Sequence, residues 1–182
     1  MDLRETPLSA RYEYEGRIIN LRVDEARLPD GGAAAREVVE HPGGVGVIAL
    51  TDEGEVLLVR QYRYPYGEIT TEIPAGKRDR GEDPLETGKR ELAEETGATA
   101  DHFTHLGVLY PTPGYCDEII HLYLATGLHF AEMHPDEDEF LDVQRLPLAE
   151  LVERVMAGDI PDAKTQIAAL KAWKLTEGRH YE

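Results

Sequence analysis

Apolar and polar positions mark the elements of this chain before any chemistry is considered. Tyr12, Tyr14, Ile18, Leu21 and Val23 are interleaved with polar residues, and Pro29-Asp30-Gly31-Gly32 supplies a strong turn signal after them. A further extended piece begins over Glu37–Glu40 and is broken by Pro42-Gly43-Gly44. Val45–Leu50 is nearly all apolar and reads as a buried strand. Asp52-Glu53-Gly54-Glu55 reads as a hairpin turn, which makes Val56–Tyr62 the expected partner strand. Further strands are expected near Leu106–Tyr110, Ile119–Ala125 and Phe140–Leu146, and closing helices over Leu148–Met156 and Ala163–Leu175.

The sharpest element is a helix over Leu85–Thr96. Asp83 is a good N-cap, Pro84 suits the first helical position, Glu86 would complete a capping box, and Gly97 supplies the C-terminal stop. Gly88 inside it costs roughly 1 kcal/mol relative to alanine, which close packing of helix on sheet would explain. The pattern as a whole predicts an α/β or α+β sandwich around a mixed sheet. Residues 1–42 form a small N-terminal β unit in this reading, and residues 43–182 the main domain.

Charge narrows the partners. The 36 acidic against 19 basic residues leave a net charge of -17, which repels nucleic acid backbones and anionic lipid. It also repels free nucleotides, so a nucleotide substrate needs a local reversal of the field, and divalent cations are the obvious means. The single cysteine, Cys116, excludes an intrachain disulfide. The start does not read as a signal peptide, and no stretch approaches the roughly 18 apolar residues of a membrane span. A cytoplasmic protein is expected.

The helix carries an anomaly. Glu91 and Glu95 lie one turn apart on one face, with Glu94 beside them. The helical neighbours of Glu91 are Thr87, Gly88, Glu94 and Glu95, none of them basic, whereas Glu94 has Arg90. Like charges so placed cost roughly 0.2–0.5 kcal/mol each. Such a break of the local rule points to a site, although a glutamate-rich helix is more often a solvated face. Clustered carboxylate oxygens are what hard cations such as magnesium bind, and two or more such ions can clamp a diphosphate.

Spacing weighs against the solvated face. Gly76 is followed after five residues by Glu82, and that after seven by Arg90-Glu91-Leu92-Ala93-Glu94-Glu95-Thr96-Gly97. This pattern resembles the Nudix box, whose fixed letters would arise by chance in about one in 10⁵ chains of this length. The departure is Ala98, where the family carries Ile, Leu or Val. The resemblance implies a Nudix-type α/β/α sandwich and a metal-dependent hydrolase of nucleoside diphosphate derivatives. It assigns Glu91 and Glu95 as metal ligands with Glu94 close by, and the Ala75 carbonyl just before the box as a further ligand. It implies two or three Mg²⁺ ions, with Mn²⁺ as substitute. Glu82 would orient the loop or contact metal through water, and Arg90 would hold a box carboxylate such as Glu94; Gly76 opens the box.

The flanks are similar to the ADP-ribose pyrophosphatase branch. They are Val59-Arg60-Gln61-Tyr62-Arg63, Glu72-Ile73-Pro74-Ala75-Gly76, Tyr110-Pro111-Thr112-Pro113-Gly114, Asp136-Glu137-Asp138-Glu139 and Asp162-Ala163-Lys164-Thr165. Pro113 stands 15 residues after Ala98, where that branch carries a proline marker. By the same resemblance Arg63 and Arg36 contact diphosphate or ribose, Glu118 binds substrate, and Arg17 and Ile18 flank an adenine. Each has a plainer reading: a solvated arginine for Arg63, core packing for Ile18. Glu137 aligns with the water-activating base and Glu139 with an assisting residue, although an acidic loop is the commonest meaning of such a run. A homodimer through swapped N-terminal strands is also implied. Rival substrates are GDP-mannose, NADH and FAD; the other rival is a non-catalytic nucleotide-binding module.

Overall fold

A computed structural model describes residues 2–134 and 140–177 of the chain, which fall into two compact units. The first comprises the described residues up to Gly43 together with Tyr110–Ile119. Its strands β1 (Thr6–Glu15), β2 (Asn20–Arg27) and β3 (Ala33–Glu40) form an antiparallel sheet in that order. The expected turn joins β2 to β3: Leu28 N donates to Gly32 O at 2.8 Å, and Gly31 takes φ 89°, a conformation that glycine adopts without penalty. The segment Tyr110–Ile119 is stitched to β3, with Val39 N donating to Tyr115 O and Asp117 N to Val39 O. β1 is exposed along its whole length.

The second unit comprises Gly44–Leu109 and the described residues from Ile120 onward. Its elements are β4 (Gly44–Ala49), β5 (Glu55–Arg63), β6 (Glu68–Glu72), β7 (Ala75–Lys77), α1 (Pro84–Thr96), β8 (Ala98–Leu109), β9 (Ile120–Phe130), β10 (Asp142–Pro147), α2 (Leu148–Ala157) and α3 (Ala163–Glu177). A mixed sheet runs β7-β4-β9-β8, with β4 parallel to β9 and the other pairs antiparallel; a second, antiparallel sheet runs β10-β5-β6. Alternation along β4 and β9 divides the core. Ile48, Leu122 and Leu124 face one cluster with Leu151, Ala168, Ala169 and Ala172 of α2 and α3, whereas Val45, Val47 and Tyr123 pack with Leu92 of α1. Helices thus cover both faces of the mixed sheet, as predicted.

The hairpin expectation is corrected. The turn at Asp52–Gly54 forms, but β4 and β5 share only the bridge Leu50–Val56 and then enter different sheets. β4 is buried on both faces and takes β7 and β9 as ladder partners, leaving β5 to pair with β6 and β10. The strand placed near Leu106 begins already at Ala98, directly after the helix stop. Gly88 is explained: a Cβ there would lie 3.0 and 3.1 Å from Val45 and Val47, so helix and sheet meet closely at that point.

Candidate active site

Helix α1 is fixed at both ends. Asp83 Oδ1 accepts from Leu85 N at 2.9 Å and Glu86 N at 3.4 Å, and Gly97 closes the helix at φ 69°. The reciprocal half of the expected capping box is replaced, because the Glu86 carboxylate pairs with Lys89 Nζ at 2.7 Å. The inward side of the helix carries Thr87, Gly88, Glu91, Leu92 and Glu95. Two carboxylates are therefore turned inward: Glu91 is 6% exposed and Glu95 2%. Burying charge costs several kcal/mol per ion unless partners compensate.

The segment before the box supplies part of that compensation. Ala75 N donates to Glu95 Oε2 at 3.0 Å, and Pro74 O accepts from Val47 N at 2.9 Å. Gly76 lies so close to Glu91 that a Cβ would sit 1.9 to 2.2 Å from its carboxylate atoms, which only glycine permits. Arg90 supplies a further part, at Glu91. Its Nη1 is 2.8 Å from both Glu91 Oε1 and Glu94 Oε2, and its Nε is 3.3 Å from Glu82 Oε1. This corrects the expectation that Glu91 has no basic company: Arg90 is its sequence neighbour and curls back over it. The Arg90 hydrogen bond is the main cause holding Glu82 down at about 2, and burial, which opposes the charge of Arg90, is outweighed by Glu82, Glu91 and Glu94.

Arg63, at the end of β5, forms a two-pronged pair with Glu72: Nε to Oε1 at 2.7 Å and Nη2 to Oε2 at 2.6 Å. Lys164 at the start of α3 reaches the same carboxylate. In the sequence Glu72 and Lys164 stand within flanking segments with no signal of a role; 92 residues separate them, so only the fold joins them.

The first unit holds the other candidates. Arg36 and Pro113 line one cleft of about 470 Å³ with Glu5, Arg22, Asp24 and Asp117, and the Arg36 fork is taken by Glu5 at 2.6 and 2.9 Å. Glu118 Oε1 lies 3.3 Å from His41 Nδ1. Arg17 and Ile18 occupy the exposed turn between β1 and β2; at 54% exposure, Ile18 does not pack into a core within this chain. Glu137 and Glu139 lie outside the described residues.

Residues 40–168 match the NUDIX domain. The chain belongs to the Nudix family. Residues 5–39 match the nucleoside diphosphate sugar hydrolase N-terminal domain. The chain is 42% identical over 168 residues to an ADP-ribose pyrophosphatase of Bacillus subtilis, covering 91% of each. It is 44% identical over 166 residues to a methanol dehydrogenase activator of Bacillus methanolicus, covering 90% of each. A solved structure described as an ADP compounds hydrolase superposes with a TM-score of 0.86 at 23% identity, over 98% of both chains, and so shares the fold.

Nudix hydrolases generally require divalent metal ions, and the donor chemistry here suits them. Glu82, Glu91 and Glu94 share the guanidinium of Arg90, and Glu95 lies buried on the same helix, so oxygen donors and negative charge are in excess of Arg90. Among the described residues no three such side chains converge as a closed metal cage, because Arg90 draws Glu91 and Glu94 to itself. Among the described residues, no helix is long and apolar enough to cross a membrane.

Proposed function

We propose that this Nudix hydrolase cleaves ADP-ribose to AMP and ribose 5-phosphate, with Mg²⁺ as its ion, two or three to a site, and Mn²⁺ as substitute. The observation that carries the reading is the pair of inward carboxylates, Glu91 and Glu95, on a helix whose neighbouring strand is glycine where Glu91 approaches it. The name of the Bacillus subtilis relative and the match of residues 5–39 to a nucleoside diphosphate sugar hydrolase domain support the substrate class.

Glu91, Glu94, Glu95 and the carbonyl of Ala75 would hold the cations. When bound, these ions neutralise the diphosphate and polarise phosphorus toward attack. Glu82 and Arg90 keep the box carboxylates in place. Arg63 grips the diphosphate by the edge of its guanidinium that Glu72 does not use. Arg36, Glu118, Pro113, Arg17 and Ile18 bind the rest of the substrate, and Arg36 exchanges Glu5 for it; an exposed pair of that kind is worth about 0–1 kcal/mol. Glu137 takes the proton of the attacking water and Glu139 assists. The enzyme works as a cytoplasmic homodimer, with neither nucleic acid nor membrane as partner.

A hydrolysis panel of ADP-ribose, GDP-mannose, NADH and FAD, run with Mg²⁺ and Mn²⁺, tests the reading. ADP-ribose should give the highest kcat/KM, with products AMP and ribose 5-phosphate. Glu95→Gln should lose most turnover even with saturating metal. Preference for another member of the panel would replace the substrate; nucleotide binding by calorimetry with no cleavage would make the protein a binding module.

A further inference from the structure

Glu72 ends β6 almost sealed from solvent, and its carboxylate is the centre of a charged network that reaches across the second unit. Arg63 holds both oxygens through Nε and Nη2, Thr70 Oγ1 donates to Oε1 at 2.5 Å, and Lys164 Nζ donates to Oε2. Lys164 is itself buried, and its ammonium also donates to Asp162 Oδ1 at 2.9 Å. Asp162 is tied in turn to the first turn of α3, its Oδ2 accepting from Thr165 N at 2.9 Å and from Thr165 Oγ1 at 2.5 Å. Thr165 Oγ1 then accepts from Ile73 N at 2.9 Å, so the network returns to the residue next to Glu72.

Stability does not call for this arrangement, since well-packed apolar residues commonly replace a buried ion pair without loss. Orientation does. A guanidinium bound through two nitrogens to one carboxylate has its plane fixed by that carboxylate. Among the described residues, Arg63 Nη1 has no hydrogen-bond partner, and the side chain is 38% exposed, so one end of the fork is anchored while the group still reaches solvent. An anchor is only as rigid as its own support, and Lys164 supplies that support by holding Oε2 from α3.

We propose that Lys164 is a positioning residue for substrate binding: it holds the Glu72 carboxylate so that Arg63 presents its remaining edge to the diphosphate in one orientation. This rests on the reading above that Arg63 contacts the diphosphate. Lys164 then acts only through Glu72 and Arg63, touching neither substrate nor metal.

The test is a double-mutant cycle on KM and kcat for ADP-ribose at saturating Mg²⁺, using Lys164→Met, Arg63→Met and the double variant. Lys164→Met should raise KM on the order of tenfold, the cost of about one misdirected charge-assisted contact, with kcat within about twofold of wild type. The double variant should have the KM of Arg63→Met alone, because the support has nothing left to orient. A merely structural lysine would lower the melting temperature and leave KM unmoved. Unchanged KM in Lys164→Met, or additive KM effects in the double variant, would overturn the inference while leaving Arg63 in place. Unchanged KM in Arg63→Met would instead remove Arg63 from the site and the inference with it. If Lys164→Met fails to fold, Glu72→Gln/Lys164→Met removes the stranded charge; it should show the same rise in KM, and a wild-type KM there overturns the proposal.

Discussion

Gly76→Ala is the most direct probe of how the box helix is set against its neighbouring strand. Gly76 is not among the glycines with positive φ, so alanine meets no backbone penalty there and the whole effect comes from the added methyl. That methyl would stand 1.9 Å from Glu91 Cδ, against the 3.4 Å at which ordinary contact begins. The carboxylate must therefore retreat by roughly 1.5 Å. It has little room to do so, being buried and held by Arg90 Nη1 at 2.8 Å. A misplacement of about 1 Å can cost on the order of 100-fold in rate, and overpacking costs about 1–3 kcal/mol in stability. Steady-state hydrolysis across a metal titration, with urea melts on the same samples, separates the two effects. The expected result is a kcat lowered about 100-fold, a higher metal requirement and a folded protein. A folded variant with near-wild-type kcat and an unchanged metal requirement would show that the Glu91 carboxylate does not need its present position.

Two further outcomes follow from the same structure. Gly97→Ala places a Cβ 2.3 Å from the carbonyl oxygen of Ala131 at φ 69°, so strained backbone and a main-chain clash should together cost at least about 2 kcal/mol; a urea midpoint equal to wild type would contradict this. Burial opposes ionisation of Glu72, yet Arg63 and Lys164 hold it at about 2 against an ordinary 4.5, which amounts to about 3 kcal/mol of stability, fully present above pH 4.5 and lost as pH falls toward 2. Urea melts at pH 6 and pH 3 should therefore show wild type losing about 2 kcal/mol more than Glu72→Gln, and parallel losses would refute the coupling.

What the sequence made legible was local. The box helix, its cap at Asp83 and its stop at Gly97 lie within one short stretch, and each signal acts on near neighbours. The apolar run of β4 announced burial on both faces but not its ladder partners, because β9 comes from a distant part of the chain. The three residues of β7 were too few to show a period. The contact of Arg90 with Glu91 escaped a rule framed on residues three and four apart, since adjacent side chains on a helix do not normally face one another. Here the crowd of carboxylates around Arg90 bends it back over its neighbour. The Glu72–Lys164 pair had no local signal of any kind.

The cations near the proposed site differ in how firmly they are held, and this sorts their roles. Arg90 is shared among Glu82, Glu91 and Glu94, and so works on the box itself. Arg63 is bound to a buried carboxylate that keeps its charge down to about pH 2. Breaking that pair would strand a buried charge at a cost of about 3–5 kcal/mol, more than one phosphate contact returns. On the proposed reading Arg63 therefore meets the diphosphate without leaving Glu72. Arg36 and Glu5 are both well exposed, and an incoming phosphate or ribose can take the arginine from the glutamate at almost no cost. On the proposed reading Arg63 is a fixed fork and Arg36 an exchangeable one, and in a chain of net charge -17 most of the remaining neutralisation of a diphosphate falls to added metal ions. Activity should accordingly depend more steeply on divalent metal than on either arginine.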